Sequence, residues 1–316
     1  MSYASSKPDF ETMHNNGLLL VDKEPGCTSH DVVQQARRVF GQRKVGHCGT
    51  LDPAATGLLV LTFGKATRLT RFLINAPKVY IGTIRLGVAT DTYDADGKIE
   101  AEASTAGILH DDVIAKMSAF EGNSEQTAPA YSAKKIRGVK YYELARKGED
   151  VPTASKSITV FEFRATSELA NDRVEFRLAC SSGTYVRSLA HDLGQRLCCG
   201  AHLESLRRLK VGPFEVSDAR RIDDIAGLVG QNISALHPAW LPFDSIPLPF
   251  EEIRTDERQE HRIVHGQTVL VRGCDCKEGD WIRLVNRRQQ LIAVGSVTET
   301  IGSSGVGVVQ PRIVFS

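Results

Sequence analysis

Several patterns that would settle a function early are missing from this chain. No uninterrupted apolar stretch approaches the roughly 18 residues that a membrane helix needs, so no spanning segment is expected. The N-terminus, Met1 to Asn16, carries Asp9, Glu11 and adjacent asparagines instead of a basic start and an apolar run. It therefore reads as a flexible tail rather than a signal peptide, and the protein is expected in the cytoplasm. A charge excess is lacking too: 39 Lys and Arg stand against 38 Asp and Glu, so any nucleic-acid partner must be met by local basic patches. There is no Gly-x-Gly-x-x-Gly, and Gly64-Lys65-Ala66 has neither the hydroxyl residue nor the earlier glycine of a phosphate loop, which argues against a nucleotide cofactor. The seven cysteines contain no Cys-x-x-Cys pair, so reduced, mostly buried thiols are expected. Cys274-Asp275-Cys276 reads as a surface turn, and no metal site is expected.

What is present suffices for a globular protein of about two domains: 316 residues with 41% hydrophobic content. Gly17 to Asp22 reads as a buried strand running into a turn at Lys23 to Gly26. Thr28 and Asp31 form a capping-box pattern ahead of a helix whose apolar face is Val32, Ala36, Val39 and Phe40. Further strands are expected at Leu58 to Phe63, Lys78 to Gly87, Ser157 to Phe163 and Arg173 to Cys180, with a short helix at Thr67 to Ile74. Several strands follow one another through short turns, so the fold class is α+β with a mixed, largely antiparallel sheet. Prolines 238, 242, 247 and 249 crowd the stretch 237–250, which reads as the linker between domains. Beyond it, 251–316 is rich in Val, Ile and Gly with short strand-like runs, as in a small β-barrel.

Gly46 to Gly57 joins several glycines, His47 and Asp52-Pro53 in one loop before a buried strand. Glycine lets a backbone lie against a ligand, and the proline restricts the aspartate before it to extended angles. From these residues alone, a functional loop and a tight structural turn both remain open. Lys134, Lys135, Arg137, Lys140, Arg146 and Lys147 face the single acid Glu143, with Tyr131, Tyr141 and Tyr142 interleaved. Cations that neutralise phosphate beside rings that stack on bases point to RNA contact in this segment.

The loop Gly46-His47 to Gly57 resembles the G-H-x-G-x-L-D-P-x-A-x-G signature of the TruB family, the tRNA pseudouridine synthases. The resemblance continues through Gly17 to Lys23, Arg85 to Gly87, Thr90 to Gly97, Tyr131 to Ala133, Gly183 to Arg187, Leu206 to Leu209 and Gln310 to Arg312. It implies an isomerase (an intramolecular transferase) that converts uridine 55 in the tRNA T loop to pseudouridine, with Asp52 as the catalytic carboxylate. It also implies that Arg187 pairs with Asp52, that Tyr80 stacks on the target base and that Leu206 closes the same pocket. His47 would fill the place of the flipped nucleotide. Taken alone, Tyr80 and Leu206 would be read as core and Arg187 as surface. Tyr185 and Arg68, the latter where lysine is common, complete the implied substrate-binding set.

The implied organisation is a tail at 1–16, a catalytic pseudouridine-synthase domain at 17–236 with a basic RNA-binding insertion at about 128–156, the linker, and a PUA-like RNA-binding domain at 251–316. No cofactor is implied. The expected partner is the tRNA T stem-loop, with no membrane, no guide RNA and a monomeric protein. The rivals are the related synthase that works with a guide RNA, and a tRNA-folding protein whose catalysis is secondary.

Overall fold

In the computed structural model, which describes residues 15–127, 129, 135–136, 139–140, 155–228, 236–301 and 305–315, the run Gly17–Lys23 forms strand β1 and is buried at every position except Asp22. A strand covered on both faces needs such a continuous apolar run. Helix α1 (Ser29–Val39) starts at the capping box: Thr28 Oγ1 accepts from the Asp31 amide at 3.1 Å, and Asp31 Oδ2 accepts from the Thr28 amide at 2.9 Å. Its buried stripe, Val32, Val33 and Ala36, packs with Leu19, Leu59 and Trp240.

The chain continues through β2 (Val45–His47), β3 (Thr56–Phe63), a 3-10 turn (Gly64–Leu69), α2 (Thr70–Leu73) and β4 (Lys78–Leu86). A hairpin of β5 (Val88–Thr90) and β6 (Ile99–Glu102) precedes α3 (His110–Ser118) and β7 (Gly122–Thr127). The short pair β8 (Lys135–Ile136) and β9 (Val139–Lys140) lies in the basic insertion. Next come β10 (Ser155–Ala165), β11 (Arg173–Cys180), α4 (Val186–Arg196), β12 (Ala201–Val211), β13 (Phe214–Glu215), α5 (Ile222–Leu228) and β14 (Trp240–Pro242).

Ten of these strands make one sheet in the order β14-β1-β3-β12-β4-β11-β10-β7, with β13 on β12 and β2 on β3. Its ladders are antiparallel except for β3 against β12, where Gly57 is registered with Arg208. That parallel contact brings the end of the glycine-rich loop against a strand about 150 residues later, as the hydrogen bond from Arg208 to Leu58 across that separation also records. Gly57 is required there: its φ is +97°, and a Cβ would sit 2.3 Å from the Arg208 carbonyl oxygen.

The C-terminal strands β15 (Glu251–Arg254), β16 (Val269–Arg272), β17 (Trp281–Val285), β18 (Leu291–Ile301) and β19 (Val306–Val314) form a second sheet, ordered β15-β17-β18-β19-β16. Helix α6 (Glu257–Val264) closes it around Val269, Ile282, Leu284 and Val297. Its other face supplies Leu291, Val294 and Ile313, with Phe315, to a cluster shared with Leu18, Leu58, Leu69 and Leu73, so the two sheets are joined by apolar packing. No helix of the described residues is long and apolar enough to cross a membrane.

One expectation needs correction. The proline-rich stretch is not a bare linker, since β14 pairs with β1 at the sheet edge and Phe243 and Ile246 enter the shared core. An edge position tolerates Pro242 because one side of the strand needs no ladder bonds. Cys274 and Cys276 stand side by side, their Cα atoms 5.2 Å apart, while Cys27, Cys48, Cys180, Cys198 and Cys199 are free.

Candidate active site

The loop between β2 and β3 is short of regular structure, so its backbone carbonyls need donors from elsewhere. Three buried side chains supply them. Lys23, at the end of β1, donates through Nζ to Ala55 O at 2.7 Å, and to Pro53 O and Glu24 O at 3.0 Å. Arg208, on β12, donates to Leu58 O at 2.7 Å, Thr50 O at 3.1 Å and Gly49 O at 3.2 Å. Ser29 Oγ, in the first turn of α1, accepts from the Leu51 amide at 2.8 Å and donates to Leu51 O at 3.1 Å. The segment carrying Asp52 is therefore held from three elements.

Arg187 reaches Asp52 from the first turn of α4, its Nε 3.0 Å from Asp52 Oδ2. The same guanidinium donates through Nη1 to Asp94 Oδ2 at 3.1 Å and to Thr92 O at 3.0 Å. Arg187 is thus fixed between two carboxylates, and charge-assisted bonds of this geometry hold the Asp52 side chain in one orientation. Gln126 steadies the entry to α4 by donating to Tyr185 O at 3.0 Å and accepting from the Tyr185 amide at 2.7 Å. The Asp52 side chain stays 48% exposed against 8% for Arg187, so the carboxylate remains open to a ligand.

Asp52, His47, Tyr80, Arg187, Tyr185 and Leu206 all line one cavity of about 430 Å³. Tyr80 is 7% exposed, and burial is the main cause that raises its phenol above the ordinary range. It stands on β4 opposite Leu178 and Arg208, so the core reading and the cavity reading both hold for it. The His47 ring is held below its usual pKa, first by burial and then by Arg208 and His30, and its Nδ1 has no partner among the described residues. The lowered pKa keeps this ring neutral at neutral pH.

Arg68 is not at this cavity. Its Nη1 donates to Val314 O, and its guanidinium lies 5.4 Å from the Phe315 ring, at the seam with the C-terminal sheet. Tyr131, Lys134 and Arg137 lie outside the described residues, and Lys135 and Lys140 are described only as backbone partners across β8 and β9.

Lys23, Ser29, Lys78, Asp94 and Arg208 belong to the site yet carry no assigned role in the sequence reading. Lys78 lines the cavity and donates to Ile74 O at 2.6 Å and Ala76 O at 2.7 Å; burial, then Arg208, pushes its pKa down to about 8. A signal did exist for Lys23, Asp94 and Arg208, since each is a charged residue inside a quoted motif. Their partners, far away in sequence, were not readable. Among the described residues one group of potential metal ligands converges, Glu251, Cys274 and Cys276, with ligand atoms within 4.8 Å of one another.

Comparison with known proteins agrees with this geometry. The model of the TruB family pseudouridylate synthase N-terminal domain matches residues 37–186, and that of the tRNA pseudouridylate synthase B C-terminal domain matches residues 187–246. A tRNA pseudouridine synthase B of Leifsonia xyli is 42% identical over 288 residues, covering 89% of this chain and 93% of its own. One of Nitrosococcus oceani is 37% identical over 308 residues, with 97% of each chain covered. Among solved structures, a Cbf5-Nop10-Gar1 complex matches with a TM-score of 0.74 at 25% identity, covering 97% of this chain and 87% of the other. An H/ACA RNP bound to a substrate RNA containing 2'-deoxyuridine shares the fold at a TM-score of 0.74 and 24% identity, with 98% of this chain and 88% of that one covered. A half-exposed aspartate clamped by a buried arginine at the mouth of a ring-lined cavity, with this likeness over nearly the whole length, places the chain in the TruB family of pseudouridylate synthases.

Proposed function

We propose that this protein isomerises a uridine of tRNA to pseudouridine, and that the uridine is number 55 of the T loop. The observation that carries the reading is the half-exposed Asp52 carboxylate, bonded to Arg187 at 3.0 Å, in a cavity that also presents the Tyr80 ring. The reaction breaks the bond between uracil N1 and the ribose, turns the base and joins its C5 to the same ribose carbon; the C5 proton then leaves to a base and N1 takes up a proton, so the product is an isomer of uridine. It needs one carboxylate that acts as nucleophile or as base, and a site that keeps the detached uracil from leaving. A cavity of about 430 Å³ is of the size that takes a single nucleotide, so the uridine must leave its stack to enter. Tyr80 and Leu206 cover the base, and the neutral His47 ring stacks where the uridine was. The relatives' shared name, tRNA pseudouridine synthase B, supports tRNA as the substrate.

The basic insertion, with Tyr131, Lys134, Lys135, Arg137 and Lys140, and the C-terminal sheet as a PUA-like module would then grip the RNA by its folded shape and phosphates. The likeness to guide-RNA particles motivates one discriminating measurement, which is conversion of a bare T-arm stem-loop without guide RNA or added proteins. Conversion supports the stand-alone reading, and a requirement for guide RNA overturns it.

Asp52→Asn tests the chemistry. It keeps size and hydrogen-bonding capacity but loses the anionic oxygen, so folding and RNA affinity should stay within about twofold while single-turnover conversion falls by more than about a thousandfold, about 4 kcal/mol. A folded variant that converts uridine within about tenfold of the parent would remove Asp52 from the essential role.

A further inference from the structure

The five strands of the C-terminal sheet run in the order β15-β17-β18-β19-β16, so β15 and β16 are its two edges. Glu251 is the first residue of β15, and Cys274 and Cys276 lie in the loop that follows β16. One carboxylate oxygen and the two sulfurs nonetheless fall within 4.8 Å of one another. The sheet has therefore curled until its opposite edges meet, and these three side chains stand at the meeting point. A Cys-x-Cys turn by itself offers two ligands, and the curl of the sheet brings the third.

The loop that carries the thiols is held on both sides. The Cys274 amide donates to Gly305 O at 3.2 Å, the Lys277 amide to Asp280 Oδ2 at 2.8 Å, and the Gly279 amide to Val297 O at 2.9 Å. Cys274 is buried and packs with Ile263, Val269 and Val271, whereas Cys276 is half-buried. The Glu251 carboxylate is exposed and forms no ion pair among the described residues, while its neighbour Glu252 pairs with Arg283 at 3.1 Å. A cavity of about 500 Å³ borders both cysteines, with Asp275 and Glu278 on its wall. An ion can enter with its water, and a water or one of these two carboxylates can take a fourth position on it. None of these residues lines the cavity at Asp52.

We propose that Glu251, Cys274 and Cys276 bind a divalent cation of the zinc class, which fastens the two edges of the C-terminal sheet to each other. Two sulfurs and one carboxylate oxygen suit Zn2+, whereas Mg2+ and Ca2+ take oxygen throughout and Cu+ takes sulfur without needing the carboxylate. Ligand atoms at about 2.0 to 2.3 Å from one ion lie roughly 3.6 to 3.8 Å apart in a tetrahedron, inside the spread of this cluster. The two touching sulfurs reach that separation by rotation about the Cα–Cβ bond of the half-buried Cys276. On binding, each Cys–SH gives its proton to solvent and an electron pair of its sulfur to the ion, while the Glu251 carboxylate adds an oxygen without releasing a proton. Two protons leave per ion, so affinity rises with pH. The cation closes the barrel and has no part in the uridine chemistry.

The test uses the full-length protein, reduced and stripped with a chelator, with Co2+ as the spectroscopic probe and Zn2+ as its competitor. Thiol titration in denaturant first checks that all seven cysteines are reduced. The parent should take up one Co2+ per chain, with a near-ultraviolet thiolate-to-cobalt absorption that Zn2+ abolishes. Cys274→Ser/Cys276→Ser should lose that absorption, and Cys198→Ser, at the exposed cysteine far along the chain, should keep it. Glu251→Gln and Cys276→Ser, which both leave the buried Cys274 in the core, should each bind Zn2+ at least about tenfold more weakly. Zn2+ should raise the thermal unfolding midpoint of the parent and not that of the double-serine protein. A reduced parent without the absorption, its persistence in the double-serine protein, or parental Zn2+ affinity in Glu251→Gln overturns the site. A bond between the two sulfurs that survives the reductant overturns it too, since both thiolates are then lost.

Discussion

Lys23, Lys78, Arg187 and Arg208 are each less than a tenth exposed and give their N–H groups to carbonyls or carboxylates of the Asp52 loop and the cavity wall. Arg43 and Lys44, on the way into the same loop, are exposed and have no side-chain partner among the described residues. A cation removed from water must find acceptors within the protein, and in doing so it becomes part of the scaffold. A hydrated cation keeps its charge available to an incoming anion. Position in the fold, rather than residue type, therefore separates the cations that shape the Asp52 loop from those that stay in water.

The widest break in this comparison should come from Arg208→Met, which removes the donors to Leu58, Thr50 and Gly49 from a site 1% exposed. The unmatched carbonyls should cost about 3 kcal/mol in urea unfolding, and conversion should fall with the loop's order. A loss under about 1 kcal/mol would mean that water or another donor takes the place of the guanidinium.

Asp94→Asn should act on rate instead of stability. It weakens one of the two carboxylate contacts that fix Arg187, so the Asp52 carboxylate is held less firmly. Single-turnover conversion should drop by about tenfold or more with RNA affinity unchanged, as befits a residue that positions another. Equal loss of affinity and rate would instead place Asp94 against the RNA.

Lys78 sharpens the comparison through pH. Its folded pKa, about 8, lies below the ordinary 10.5, so above pH 8 the folded protein has released a proton that the unfolded chain still binds. Stability then rises with pH across that window: the Lys78 contribution is complete above 10.5 and is lost as pH falls through about 8. The parent should gain stability relative to Lys78→Met between pH 8 and pH 10 in urea unfolding. The opposite slope would show that the Ile74 and Ala76 carbonyls stabilise the ammonium more than burial penalises it.

At the small end, Arg43→Gln and Lys44→Gln should each change unfolding free energy by less than about 0.5 kcal/mol, because neither side chain has a partner to lose. A larger loss would move them into the scaffold group.

Legibility in the sequence followed the range of the interactions concerned. The Thr28 and Asp31 cap was readable because its partners are three residues apart, and the strands with continuous or alternating apolar residues were readable for the same reason. The Asp52 loop stood out by its glycines, its Asp-Pro step and its family signature. The pairing of β14 with β1 was not readable, because a proline-rich stretch carries no sign that a distant edge strand awaits it. Arg68 fits the family pattern for substrate contact, yet packing against Val314 and Phe315 sets it on the seam.

The sequence by itself determined the α+β class, most element positions and the family, and it singled out Asp52, the residue proposed to carry the chemistry, since all of these are written in local pattern and motif. Only the tertiary structure decided that Arg187 stands between Asp52 and Asp94, that Lys23 and Arg208 hold the catalytic loop by its carbonyls, and which cations stay in water. Burial and long-range hydrogen bonding belong to the packed chain: Arg208 reaches Thr50 across 158 residues, and no spacing rule in a sequence spans that distance.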